Sequence, residues 1–189
     1  MGVSHKEMKK GPFMKRIGFF LVAVVTTAGI IALFVPVVGH AGQEVSPIYG
    51  IAIPEGYRDW KLVSVAHEEG NLNDIRAILG NDIAIKAYRD GKLPFPDGAI
   101  IARIAWRYVP SEENNKVFGR AQSFVPGEAP PWYLQFMVKD SKKYAASGGW
   151  GYAQFDKGGK PADEAMIKPC FPCHDPIKAR DYVFTRYSP

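Results

Sequence analysis

The sequence predicts an α+β domain, mainly antiparallel β-sheet with a few short helices and a C-terminal C-x-x-C-H motif. Three observations carry this. Residues 99–109 (AIIARIAWRYV) and 132–138 (WYLQFMV) are rich in β-branched and aromatic side chains with period-two alternation. Proline and glycine are scattered along the chain, as in a β-rich domain with many turns. No internal repeat, heptad pattern or low-complexity tract points elsewhere.

Taken in order, residues 60–66 (WKLVSVA) read as a first strand and 75–79 (IRAIL) as a second, ending in a Gly80-Asn81 turn. Residues 82–89 (DIAIKAYR) read as a short helix that Asp82 caps and Gly91 stops. Residues 93–98 (LPFPDG) form a turn. In the strand at 99–109, Ile100, Ala102, Ile104, Trp106 and Tyr108 share one face, and Arg103 and Arg107 fall on the other. Residues 110–131 read as a polar loop. A strand at 132–138 and a turn of helix near 140–144 follow, then a strand at 150–155. A helix at 161–167 carries Pro161 at a permitted early position, and residues 182–187 (YVFTRY) read as a closing strand.

Charge and length bound the function. Lysine and arginine number 24 against 19 acids, but residues 1–41 hold five of those bases and only one acid, Glu7. The remaining 148 residues are nearly neutral and suit one domain. Their balance gives no argument for nucleic acid or a membrane surface. Residues 1–41 have the layout of a secretory signal: bases ending at Lys15-Arg16, an apolar run at 17–35, Pro36, and small residues before Ala41. The rival reading is an uncleaved anchor, because the run is just long enough to span a bilayer; Gly18, Thr26, Thr27 and Gly29 weaken it. Both readings put residues 42–189 in the periplasm, with 42–51 as a tether and 52–189 as the working domain.

The chemistry concentrates at the other end. Both cysteines and one of two histidines beyond residue 42 sit in Cys170-Phe171-Pro172-Cys173-His174. Thiols three positions apart can add across the two vinyl groups on one edge of a haem, and the next residue's imidazole then ligates the iron. Cys170, Cys173 and His174 are therefore the expected cofactor-binding residues, His174 the expected iron ligand, and one covalent haem c the expected cofactor. A redox dithiol is disfavoured because no βαβ unit precedes the motif. A structural zinc site lacks a second ligand cluster. A plain Cys170–Cys173 disulfide is the remaining alternative. Available sixth ligands are His67, Met137, Met166 and lysines; His67 reads as an exposed strand-end residue and both methionines as core fillers. That leaves an open, apolar sixth position, suited to small gases or nitrogen compounds. An electron carrier usually has both axial positions filled.

Several segments together resemble the cytochrome P-460 family, which includes the cytochromes c′-beta. They are PEGYRDW at 54–60, FPDG at 95–98, KDSKKY at 139–144, GWGY at 149–152, CFPCH at 170–174 and VFTRY at 183–187. The resemblance implies a periplasmic single-domain haem protein, usually a homodimer, with five-coordinate iron, a small nitrogen-oxide or hydroxylamine-like ligand and a redox partner protein. Members that oxidise hydroxylamine carry a lysine–haem cross-link and a distal carboxylate; c′-beta members have a Phe-lined distal side and bind nitric oxide. Here Tyr88 and Arg89 stand where the cross-linking lysine is expected, with Lys86 and Lys92 displaced, and Gly151 brings no carboxylate. Both departures weaken an oxidoreductase reading. Phe95, Phe136 and Phe155 are candidates for an apolar distal cap. Arg180 and Arg186 are candidates to pair with haem propionates, with plain surface charge as the commoner explanation.

Overall fold

The computed structural model describes residues 44–188. The predicted leader at 1–41 lies outside them.

Among the described residues, six strands and four short α-helices follow in the order β1 (Lys61–Glu68), β2 (Asp74–Gly80), α1 (Asp82–Arg89), β3 (Ile100–Pro110), α2 (Glu112–Phe118), β4 (Phe124–Pro126), β5 (Leu134–Lys139), β6 (Trp150–Phe155), α3 (Glu164–Ile167) and α4 (Cys170–His174). The sheet is antiparallel throughout, in the order β1-β2-β3-β5-β6, with β4 on the far end of β3. The predicted α+β class and the strands at β1, β2, β3, β5 and β6 are those observed.

Cross-strand register sorts the side chains into two layers. One face stacks Leu79, Ala102, Ile104, Leu134, Phe136, Ala153 and Phe155 beneath Ile51, Tyr133 and Tyr144. The other carries Ile78, Ile101, Trp150 and Tyr152 beneath α1, Phe95 and Val183. The sheet is thus covered on both faces, which explains why β3 buries Ala102, Ile104 and also Ile101 and Ala105.

Five expectations are corrected. Residues 182–187 form no strand: Tyr182 belongs to a turn, and the chain beyond it pairs with the sheet only at Ser188, whose N–H donates to Val63 O at 2.9 Å. The loop at 110–131 contains α2, capped by Ser111, and β4. Asn81, not Asp82, caps α1: its Oδ1 accepts from Ala84 N at 3.0 Å. Pro161 precedes α3 and bridges Phe155, and Asp163 is the cap. Part of the expected tether packs on the domain. Ser46 is buried with its hydroxyl donating to Tyr152 O, Ile51 is buried, and the Tyr49 ring meets Tyr144 and Tyr152 edge-on. These apolar contacts outweigh the freedom of an unattached linker.

Candidate functional site

The C-x-x-C-H pentapeptide is α4 itself. Pro169 starts it and Pro172 lies in its first turn, where a missing N–H costs least. A helix brings positions three and four apart onto one face, so Cys170, Cys173 and His174 line a single cavity of about 660 Å³. The floor of that cavity is one face of the sheet: Ser64 and Ala66 from β1, Arg76 and Ile78 from β2, Ile101 and Arg103 from β3, Gln135 and Met137 from β5, Tyr152 and Gln154 from β6. The C-terminal segment, through Val183 to Arg186 and Ser188, forms the opposite wall.

A chain reversal sets the histidine. After α4 a 3₁₀ stretch (Asp175–Arg180) ends in Asp181 and Tyr182, both with left-handed backbone (φ 51° and 63°). The turn carries Tyr182 O back to 2.6 Å from His174 Nδ1. A carbonyl only accepts, so Nδ1 carries the proton and Nε2 keeps its lone pair. Burial lowers the His174 pKa below its ordinary 6.5, against the opposing effect of the Tyr182 bond. The ring is therefore held neutral, the form in which imidazole ligates a metal. Tyr152 and Phe184 pack against it at ring separations of 5.0 and 4.9 Å.

Cys170 and Cys173 are free thiols. Burial pushes the Cys170 thiol pKa up, partly countered by Gln154 Nε2, which donates to its sulfur at 3.6 Å. The donor set of two thiols and a half-blocked neutral imidazole, beside a cavity in the size range of cofactor sites, fits a haem.

The other candidates separate. His67 lies on the opposite face of the sheet, its ring stacked on Tyr108 at 3.9 Å, and does not line the cavity. Met137 lines it; Met166 is exposed on α3. Of the three cap candidates only Phe136 is among the residues lining the cavity, and its ring meets Phe155 edge-on within the opposite layer; Phe155 does not line the cavity, nor does Phe95, which is buried between Tyr88 and Trp150. Period-two alternation dictates this, since Phe136 and Phe155 share the parity of Leu134 and Ala153. The same parity governs Gly151, where an added Cβ would meet Tyr144 and Ile51 and so face away from the cavity. Lys86 is exposed and pairs with Asp90 at 2.6 Å. Among the described residues, no lysine lines the cavity. Arg186 lines it; Arg180 does not, and donates to Phe184 O at 3.2 Å.

Sequence reasoning missed two features. One is the backbone acceptor Tyr182 O, which carries no sequence signal. The other is a charge cluster on the cavity floor. There Asp74 accepts from Arg76 Nη2 at 2.6 Å and from Arg103 Nη2 at 2.5 Å, and Glu68 accepts from Arg76 Nη1 at 2.5 Å. Its only signal was the misfit of charges within strand patterns.

One family model, described as cytochrome P460, matches residues 54–185. No curated protein matches the chain. The match begins before β1 and ends beyond the turn that holds His174, so it takes in every strand and helix that builds the cavity; the chain belongs to the cytochrome P460 family, a family of haem cytochromes.

Proposed function

We propose that one haem is held covalently in this cavity by Cys170 and Cys173, with His174 Nε2 as the axial iron ligand. Each thiol would add across one vinyl group: a sulfur–carbon bond forms at one vinyl carbon and the thiol hydrogen ends on the other, with no net redox change. The bound haem would supply an iron site for small nitrogen compounds, nitric oxide or hydroxylamine. The observation that carries this is the Tyr182 carbonyl 2.6 Å from His174 Nδ1, which fixes the tautomer with Nε2 free. Support for an open sixth position comes from the lining. Apart from His174 it contains neither histidine nor lysine, and Ala66, Ile78, Ile101 and Val183 supply apolar surface beside its charged end.

Between the two nitrogen chemistries, binding is favoured over oxidation, because the cross-linking lysine has no counterpart on the cavity wall. A six-coordinate electron carrier is the second reading, favoured by Met137 on the same floor. The reading also includes export of residues 42–189 to the periplasm, a redox partner protein and a homodimer, on the leader's layout and the family's habit.

The test is a pyridine haemochrome spectrum, then absorption spectra of oxidised and reduced protein with and without nitric oxide. A thioether haem that is high-spin when reduced and shifts with nitric oxide is expected. A low-spin spectrum indifferent to nitric oxide, lost in Met137→Leu, would establish the carrier instead.

A further inference from the structure

We infer that the haem propionates are received at the β1–β2 end of the cavity, by Arg186 and by the Arg76 side of the buried charge cluster. This rests on the covalent haem proposed above and goes further, assigning the residues that fix the other edge of the macrocycle.

The argument starts from the asymmetry of haem: its two vinyl groups and its two propionates occupy opposite edges. The cysteines mark the vinyl edge. Cys170 contacts Gln154 on β6, at one side of the sheet. One cross-strand row runs from there through Gln135 and Arg103 to Ile78 and Ser64. The three strand spacings from β6 to β2 cover about 14 Å. The propionates therefore fall near β1 and β2.

That end of the cavity holds the charge. Arg76, Arg103 and Glu68 line it, with Asp74 behind them and almost fully buried. Two arginines against two carboxylates leave the cluster neutral. Asp74 holds both guanidinium groups. Glu68 is different: its side chain is about half exposed, and among the described residues its one partner is Arg76. A propionate can compete with Glu68 for that guanidinium, whereas Asp74 is fixed. Arg186 enters from the opposite wall, exposed and with no side-chain hydrogen bond or ion pair among the described residues. Ser64 and Ser188 add hydroxyls nearby on the same lining. Two carboxylates thus meet one free cation and one shared cation, a geometry in which arginine's planar fork binds carboxylate well.

The experiment uses haem-loaded protein. Midpoint potential and the resonance Raman propionate-bending bands are measured for wild type, Arg186→Gln, Glu68→Gln and a control, Arg120→Gln. Arg186→Gln is expected to shift the potential down, because a lost cation favours ferric iron, and to shift a propionate band. Glu68→Gln is expected to shift the potential up, because a competing anion is lost. Arg120→Gln, beyond α2, should change neither. Unchanged potentials and bands in both Arg186→Gln and Glu68→Gln, with both thioethers intact in the haemochrome spectrum, would overturn the inference. Absence of thioether haem in wild type would overturn the underlying reading instead, and the haemochrome step tells the two failures apart.

Discussion

Lys139 Nζ lies 2.7 Å from Asp181 Oδ1 and 2.9 Å from Oδ2, and both residues are buried. The pair joins the end of β5 to the left-handed turn that returns Tyr182 O to His174. Asp181 also accepts from Phe95 N at 2.8 Å, and Lys139 donates to Gly148 O. The turn that orients the histidine is therefore anchored to the sheet by charge. Removing one partner leaves the other buried and unpaired. Lys139→Met is expected to cost about 3–5 kcal/mol of stability in denaturant unfolding. Lys139→Met with Asp181→Asn should cost less than the two single changes added together.

Gly148 stands against the same turn. Its φ is +67°, and a Cβ there would lie 2.2 Å from a Tyr182 ring carbon. Gly148→Ala is expected to destabilise by about 1–3 kcal/mol and to loosen the Tyr182–His174 bond. Gly56 has φ +66° and nothing within 4 Å of a built Cβ. Gly56→Ala should lose only the backbone preference, about 1 kcal/mol. Thermal unfolding of both variants separates strain from collision.

Asn81 does more than cap α1. Its Oδ1 accepts from Ala84 N and Ile100 N, and its Nδ2 donates to Gly98 O at 2.8 Å. Asn81→Ala should cost about 2 kcal/mol. Asp82, next in sequence, makes an exposed pair with Lys61. Asp82→Ala should move the unfolding midpoint far less than Asn81→Ala.

Asp97 ties the turn before β3 to Ser141, accepting from its N–H and its hydroxyl, both at 2.7 Å. These bonds hold its pKa below the ordinary 3.8. A lowered folded value means that the unfolded chain takes up the proton first. The contribution is thus present above about pH 4 and is lost as pH falls through the folded value. Asp97→Asn should flatten the stability–pH curve below pH 4 and leave it parallel to wild type at neutral pH.

The two histidines of the described fold make the sharpest contrast at the site. His67→Ala is expected to leave the haem spectrum unchanged, because its ring stacks on Tyr108 across the sheet. With the haem held as proposed, His174→Ala is expected to change the spectrum in oxidised and reduced protein, while both thioethers still form.

The sequence by itself determined the α+β class, five of the six strands and the cavity motif. Alternation and helical spacing are local properties, and the two thiols and the imidazole of α4 needed only one helical turn to share a face. Whether a strand face meets solvent, a core or a cavity is not local. Arg103 sat in a strand pattern without apparent use until the register set it beside Asp74 and the cavity. Parity packs Phe136 and Phe155 in the other layer, and of the two only Phe136 also lines the cavity. Residues 182–187 had strand composition, yet their backbone groups bond to the turn before them and to the side chains of His174, Arg180 and Tyr88 rather than to a neighbouring strand. The tertiary structure alone decided the Tyr182–His174 bond and the Lys139–Asp181 pair. Each joins positions through a chain reversal or a long sequence separation, and a backbone carbonyl or a lone aspartate announces neither in advance.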